Sequence, residues 1–156
     1  MKMKMIGKYT ARGIVTETET LAGTPQRVFL HDGSNKTAYK VTAFYVWGSD
    51  AGGLDNLECI GKLSKNDIGT TAAENFFRAD DDNQIAWSGN WGGTSMWGNN
   101  SQIIDPENLV VDDLFVYVHT TGTQGDAVNY MIEMEKYEID GWRGTLEMAR
   151  DQFDGQ

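Results

Sequence analysis

From Val128 to Met134 the chain alternates without a slip. Val128, Tyr130, Ile132 and Met134 fall on one side and Asn129, Met131, Glu133 and Glu135 on the other. A two-residue period of this kind belongs to a β-strand with one face on a core and the other toward water. Just upstream, Leu114 to Val118 is apolar at every position. Such a run predicts a strand inside a sheet, covered on both sides. The link between the two runs, Thr120 to Asp126, is short and rich in Thr and Gly, so the pair reads as an antiparallel hairpin. A turn at Asp105-Pro106-Glu107-Asn108 introduces it.

The remaining strands are read around these two. Lys8 to Val15 predicts a first strand, and the alternating Thr16-Glu17-Thr18-Glu19-Thr20 a solvated strand end, since repeated Glu blocks edge pairing. Arg27 to His31 and Thr37 to Trp47 flank Asp32-Gly33-Ser34-Asn35, a loop with residues suited to positive φ, and predict a second hairpin. In its return strand, Tyr39, Val41, Ala43, Tyr45 and Trp47 share one face and Lys40, Thr42, Phe44 and Val46 the other. Leu57 to Leu63 and Gln84 to Trp87 predict two more strands. Past Met134 the apolar positions Tyr137 and Ile139 are odd-numbered, which predicts a β-bulge near Glu135-Lys136. Trp142, Leu146 and Ala149, at i, i+4 and i+7, predict a short C-terminal helix lying on the sheet.

Many short strands, eighteen Gly and only two Pro in 156 residues point to an all-β, antiparallel β-sandwich rather than to helices. That length suits a single domain with a real core. The single cysteine, Cys59, excludes an internal disulfide framework, and its apolar neighbours predict a small buried core residue. The start, Met1 to Ile6, lacks an apolar stretch of signal-peptide length, and no run approaches membrane-spanning length. The net charge of −10 repels phosphate backbones, and no basic stripe offsets it, so direct nucleic-acid binding is not expected.

Two stretches invite a function. Asp80, Asp81 and Asp82 are packed closely enough to attract a hard cation such as Ca²⁺, but the ordered oxygen pattern of a Ca²⁺ loop is missing. A solvated acidic turn is the plainer reading, and no cofactor is expected. The second stretch carries Trp87, Trp91, Met96 and Trp97 among Gly, Asn and Ser. Indole rings are costly to leave in water, so these pack against other protein or stack on a ligand. A subunit interface is the expected partner. Sugar stacking, helped by Asn90, Asn99 and Asn100, is the alternative. No active site is expected: His31 and His119 each end a strand without a Ser or Cys partner, and Asp112 and Asp113 point to opposite faces of a strand.

Several segments together resemble small β-sandwich virion proteins of marine viruses and tailed phages. They are Phe29-Leu30-His31-Asp32-Gly33, Tyr39-Lys40-Val41, Ile85-Ala86-Trp87, the run from Ile104 to Tyr117, Asn129-Tyr130 and Glu135-Lys136-Tyr137-Glu138. The likeness spans the chain from about residue 27 and is one of strands and turns, with no chemical signature. It implies a jelly-roll-like bacteriophage structural subunit, made in the host cytoplasm, that decorates a capsid or its vertices or joins a tail. It also implies a homo-oligomer, a trimer being one candidate, bound to other capsid or tail proteins. Residues 1–26 fall outside the likeness and read as an N-terminal strand or arm continuous with a single domain at 27–156. The alternative is a carbohydrate-binding module that uses exposed Trp. Neither reading requires a nucleic acid, a membrane or an enzyme activity.

Overall fold

The computed structural model describes residues 3–16, 26–30, 33, 35–48, 58–66, 78–91, 100–120, 127–140 and 146. Eight strands order these residues: β1 (Lys4–Thr16), β2 (Gln26–Val28), β3 (Thr37–Gly48), β4 (Glu58–Ser64), β5 (Gln84–Trp91), β6 (Asn100–Ile104), β7 (Leu114–Thr120) and β8 (Ala127–Glu138). They form two sheets, β1-β8-β3 and β2-β7-β4-β5-β6, in which every strand pair is antiparallel. The sheets pack face to face over a common core that includes Val41, Phe44, Val46 and Ile132 from the first and Leu63, Ala86, Leu114 and Val116 from the second. The expected all-β, two-sheet architecture is what the chain adopts.

β8 is the middle strand of the smaller sheet, and its alternation survives intact. Val128, Tyr130, Ile132 and Met134 are buried, while Glu133 is exposed. β7 lies between β2 and β4 with Leu114, Val116, Tyr117 and Val118 buried, as its two-sided apolar run requires. The two strands are not a hairpin, however. β7 belongs to the larger sheet and β8 to the smaller, so the link after β7 crosses the sandwich. The second expected hairpin fails the same way: β2 pairs with β7 and β3 with β8. Apolar faces of equal strength can pair within a sheet or face each other across about 10 Å of core, and composition does not distinguish the two. Gly33 does take the expected positive φ, at 84°. The pairing is nested: first strand with last, second with second-last, and β4 with β5. β6, absent from the strands expected above, extends the larger sheet beyond β5.

The bulges sit elsewhere than expected. β8 runs straight through Glu135-Lys136, and the extra residues are Ile6 on β1, Thr42 on β3 and Ile85 on β5. The bulge at Thr42 reverses the parity of β3. Val41 faces the core before it, and Phe44 and Val46 after it. Tyr137, opposite Ala38, stays on the outer face and packs with Ile139 on a separate small cluster of Ala38, Leu109 and Val111, so no slip in β8 is needed. Of the expected C-terminal helix only Leu146 lies among the described residues, and it is 57% exposed.

The link from β6 to β7 fastens the two sheets. Asn108 Oδ1 accepts the Val41 N–H at 2.7 Å and its Nδ2 donates to the Val41 carbonyl at 3.0 Å. Tyr39 and Val110 exchange main-chain bonds of 2.7 and 2.8 Å. Gln102 Oε1 accepts the Phe44 N–H at 2.7 Å. These groups occupy the free edge of β3, whose backbone would otherwise need water or another strand. At the other end of the link, Asp113 accepts from Leu30 N–H at 2.7 Å and from the Arg27 guanidinium. Arg27 in turn lies 4.9 Å from the Phe29 ring centre.

Candidate functional site

The most developed surface feature centres on Trp87. Its neighbours on β5, Ala86 and Ser88, point inward and are buried, so alternation turns the indole outward. A row of side chains crosses the outer face of the larger sheet in register: Tyr117, Lys62, Trp87, Ile103. Lys62 is fully buried, with Nζ 5.1 Å from the Tyr117 ring centre. One row along come His119, Ile60, Gly89 and Ser101.

The ring of Trp87 is held in place. Its Nε1 donates to Gln84 Oε1 at 3.0 Å, and the same oxygen accepts the Arg78 N–H at 2.9 Å. Gln84 is buried, and its Nε2 donates to Asp81 at 3.2 Å. The other Asp81 oxygen accepts the Asn83 N–H at 3.0 Å. The acidic turn therefore braces the indole through one buried amide, which removes rotamer freedom before any ligand arrives.

Trp87 lines two depressions. One is a shallow groove of about 420 Å³ whose lining includes Ile60, Gly89, Ile103 and the ring itself. Gly89 adds no side chain to its lining, and Ile60 and Ile103 are 39% and 69% exposed. The other is a cleft of about 660 Å³ lined by Asp81, Asp82, Asp105, Glu107 and Lys65. An aromatic platform beside several hydrogen-bond acceptors can stack an apolar ring face and bind its hydroxyls.

The expected site residues are distributed unevenly. Trp87 stands at the groove. Trp91 closes β5 opposite Glu58 along the backbone, while its side chain, and Met96 and Trp97 altogether, lie outside the described residues. Asp80 is engaged by Arg78 through bonds of 2.9 and 2.6 Å, and this pairing holds its carboxyl below the usual range. Asp81 and Asp82 line the cleft, Asp80 does not, and among the described residues no group of three or more potential ligands is arranged to hold a metal. Asp105 and Glu107 join Asp81 and Asp82 only through the fold. The sequence marked their turn but carried no sign of what it would face.

No family model, curated protein or solved structure matches this chain. Cys59 is buried and its thiol is pushed up to about 11 by loss of solvent, opposed by a backbone hydrogen bond with Asn90. That environment suits packing and not nucleophilic attack. Asp113 is buried and bonded to Arg27 and Leu30, while Asp112 accepts the Asp113 N–H, so the two carboxylates do not converge.

A second surface was not anticipated. β1 is the outermost strand of the smaller sheet and thirteen residues long. Among the described residues nothing bonds to its outer edge. Nine large hydrophobic residues are exposed among the described residues. Four of them, Met5, Ile6, Tyr9 and Ile14, lie on β1, and Met3 directly precedes it. Its apolar residues interrupted by Lys4, Lys8 and Arg12 are the sequence signal for it, and the same pattern fits an ordinary first strand.

Proposed function

We propose that the protein is a non-enzymatic structural subunit of a virus particle, a jelly-roll-like sandwich that works by assembling with its own copies and docking on capsid or tail proteins. The observation that carries this reading is the gathering of exposed apolar side chains on one long edge strand. A monomer left in that condition exposes both apolar surface and unmet backbone donors, the two features that drive strand association. The nested pairing of first strand with last and second with second-last supports the jelly-roll description. The approach of β3 to β6 through Gln102 and Phe44 agrees with it. Jelly rolls serve both viral capsids and lectins, so topology alone does not choose the role. The virion assignment rests on the segment likeness described above, and it makes the particle the place of action.

The test is the mass of the purified protein in solution, followed by sedimentation with particles from infected cells. The reading expects a defined oligomer that travels with the particles. A monomer at all concentrations that stays in the supernatant would sink it.

One observation favours a second role, glycan binding at the Trp87 groove. The ring is pre-positioned, a glycine is among the residues lining its groove, and carboxylates line the adjoining cleft. Under this reading a soluble polysaccharide quenches Trp fluorescence, and Trp87→Ala abolishes the quenching without changing the oligomer. Quenching that survives the substitution assigns it to another of the five tryptophans.

A further inference from the structure

We infer that two copies of the chain join through β1, edge to edge and antiparallel about a two-fold axis at Ala11, making one six-stranded sheet from two three-stranded ones. This rests on the self-assembly reading above and names its joint. An antiparallel strand edge is complementary to itself under two-fold symmetry, so the same donors and acceptors serve both partners.

The charges on β1 disfavour the two registers adjacent to this one. Lys8, Thr10, Arg12 and Ile14 lie on the outer face, opposite Glu135, Glu133, Met131 and Asn129 of β8. Centring the pair on Thr10 would set Lys8 against Arg12, and centring it on Arg12 would set the two guanidinium groups face to face. Like charges directly opposite are unfavourable. Centring on Ala11 sets Lys8 against Ile14 and Arg12 against Thr10. Behind the small Thr10 stands Glu133, exposed and in register with it. Strands lie about 4.8 Å apart, so Arg12 of one copy can reach over Thr10 to Glu133 of the other. The inner face agrees. Tyr9 comes opposite Gly13 and Val15 opposite Gly7, each large residue meeting one without a side chain, and Ala11 meets Ala11. Tyr9 is 44% exposed in the single chain, where its ring centre lies 6.0 Å from that of Tyr39, and Tyr130 already lies over Gly13.

Four variants test the joint by sedimentation and by oxidation with diamide. Ala11→Cys should give a covalent dimer, because directly opposed residues in an antiparallel pair are at disulfide distance. Lys8→Cys should not, since its two copies are six residues out of register, and the wild type, with Cys59 buried, is the control. Thr10→Lys, at an exposed position, places a cation opposite Arg12 twice per dimer and should weaken association about tenfold. Thr10→Glu should not weaken it. If the wild type associates but Ala11→Cys stays uncoupled or Thr10→Lys has no effect, the joint lies elsewhere and self-assembly stands. If the wild type never associates, both fall.

Discussion

The side chain of Asn108 bonds to the main chain of Val41 as a neighbouring strand would, accepting its N–H at 2.7 Å and donating to its carbonyl at 3.0 Å. Both residues are buried. Nδ2 also donates to the Asp105 carbonyl at 2.7 Å, so one amide closes a turn and caps a sheet edge together. Asn108→Ala leaves buried backbone groups without partners. Each such group costs about 1–3 kcal/mol, so the variant should lose about 2–4 kcal/mol in urea unfolding. A loss below 1 kcal/mol would mean that water replaces the amide.

Two glycines on neighbouring strands should answer differently to the same change. At Gly61 an added methyl would stand 2.8 Å from Val46 Cγ1 and 3.2 Å from Phe44 Cζ, between the sheets. Gly61→Ala should therefore cost about 1–3 kcal/mol through overpacking. At Gly89 the nearest atom is 3.5 Å away, ordinary contact, and Gly89→Ala should leave the melting temperature nearly unchanged. Because Gly89 lines the Trp87 groove, the same variant should reduce any glycan quenching. Equal destabilisation by the two would contradict the packing between β3 and β4.

Burial makes Cys59 a reporter of alkaline unfolding. Its thiol is held neutral in the folded chain to about pH 11 and ionises near 9 once exposed. A raised folded-state pKa means the contribution to stability is complete below pH 9 and disappears as pH climbs through 11. Wild type should lose on the order of 2 kcal/mol more than Cys59→Ala across that window. Native protein at pH 8 should also resist thiol reagents until denaturant is added. Rapid modification of the folded protein would contradict the burial.

Facing on β8 can be read by charge. Tyr130→Asp puts a carboxylate at a position 5% exposed, over Gly13, and should unfold the domain, as judged by loss of the cooperative unfolding transition. Asn129→Asp, one residue along on the half-buried outer face, should cost less than about 1 kcal/mol. Similar outcomes for the two would mean the strand is faced wrongly.

What the residues determined alone is local. The two-residue period of Val128 to Met134 depends only on the pleat of one strand, so the buried face of β8 was legible. The turn at Asp105 to Asn108 and the positive φ of Gly33 are equally short-range. Tertiary structure decided which sheet each strand joined, because β7 and β8 bury equivalent apolar faces whether side by side or across the core. It also decided where the extra residues went. A bulge is a relation between two strands, so Thr42 shifts Phe44 and Val46 inward only because β8 runs beside it. The company of Trp87 and the exposure of β1 belong to the same class. Asp81 and Glu107 meet at one cleft from turns far apart in sequence, and a strand becomes an edge only when nothing else pairs with it.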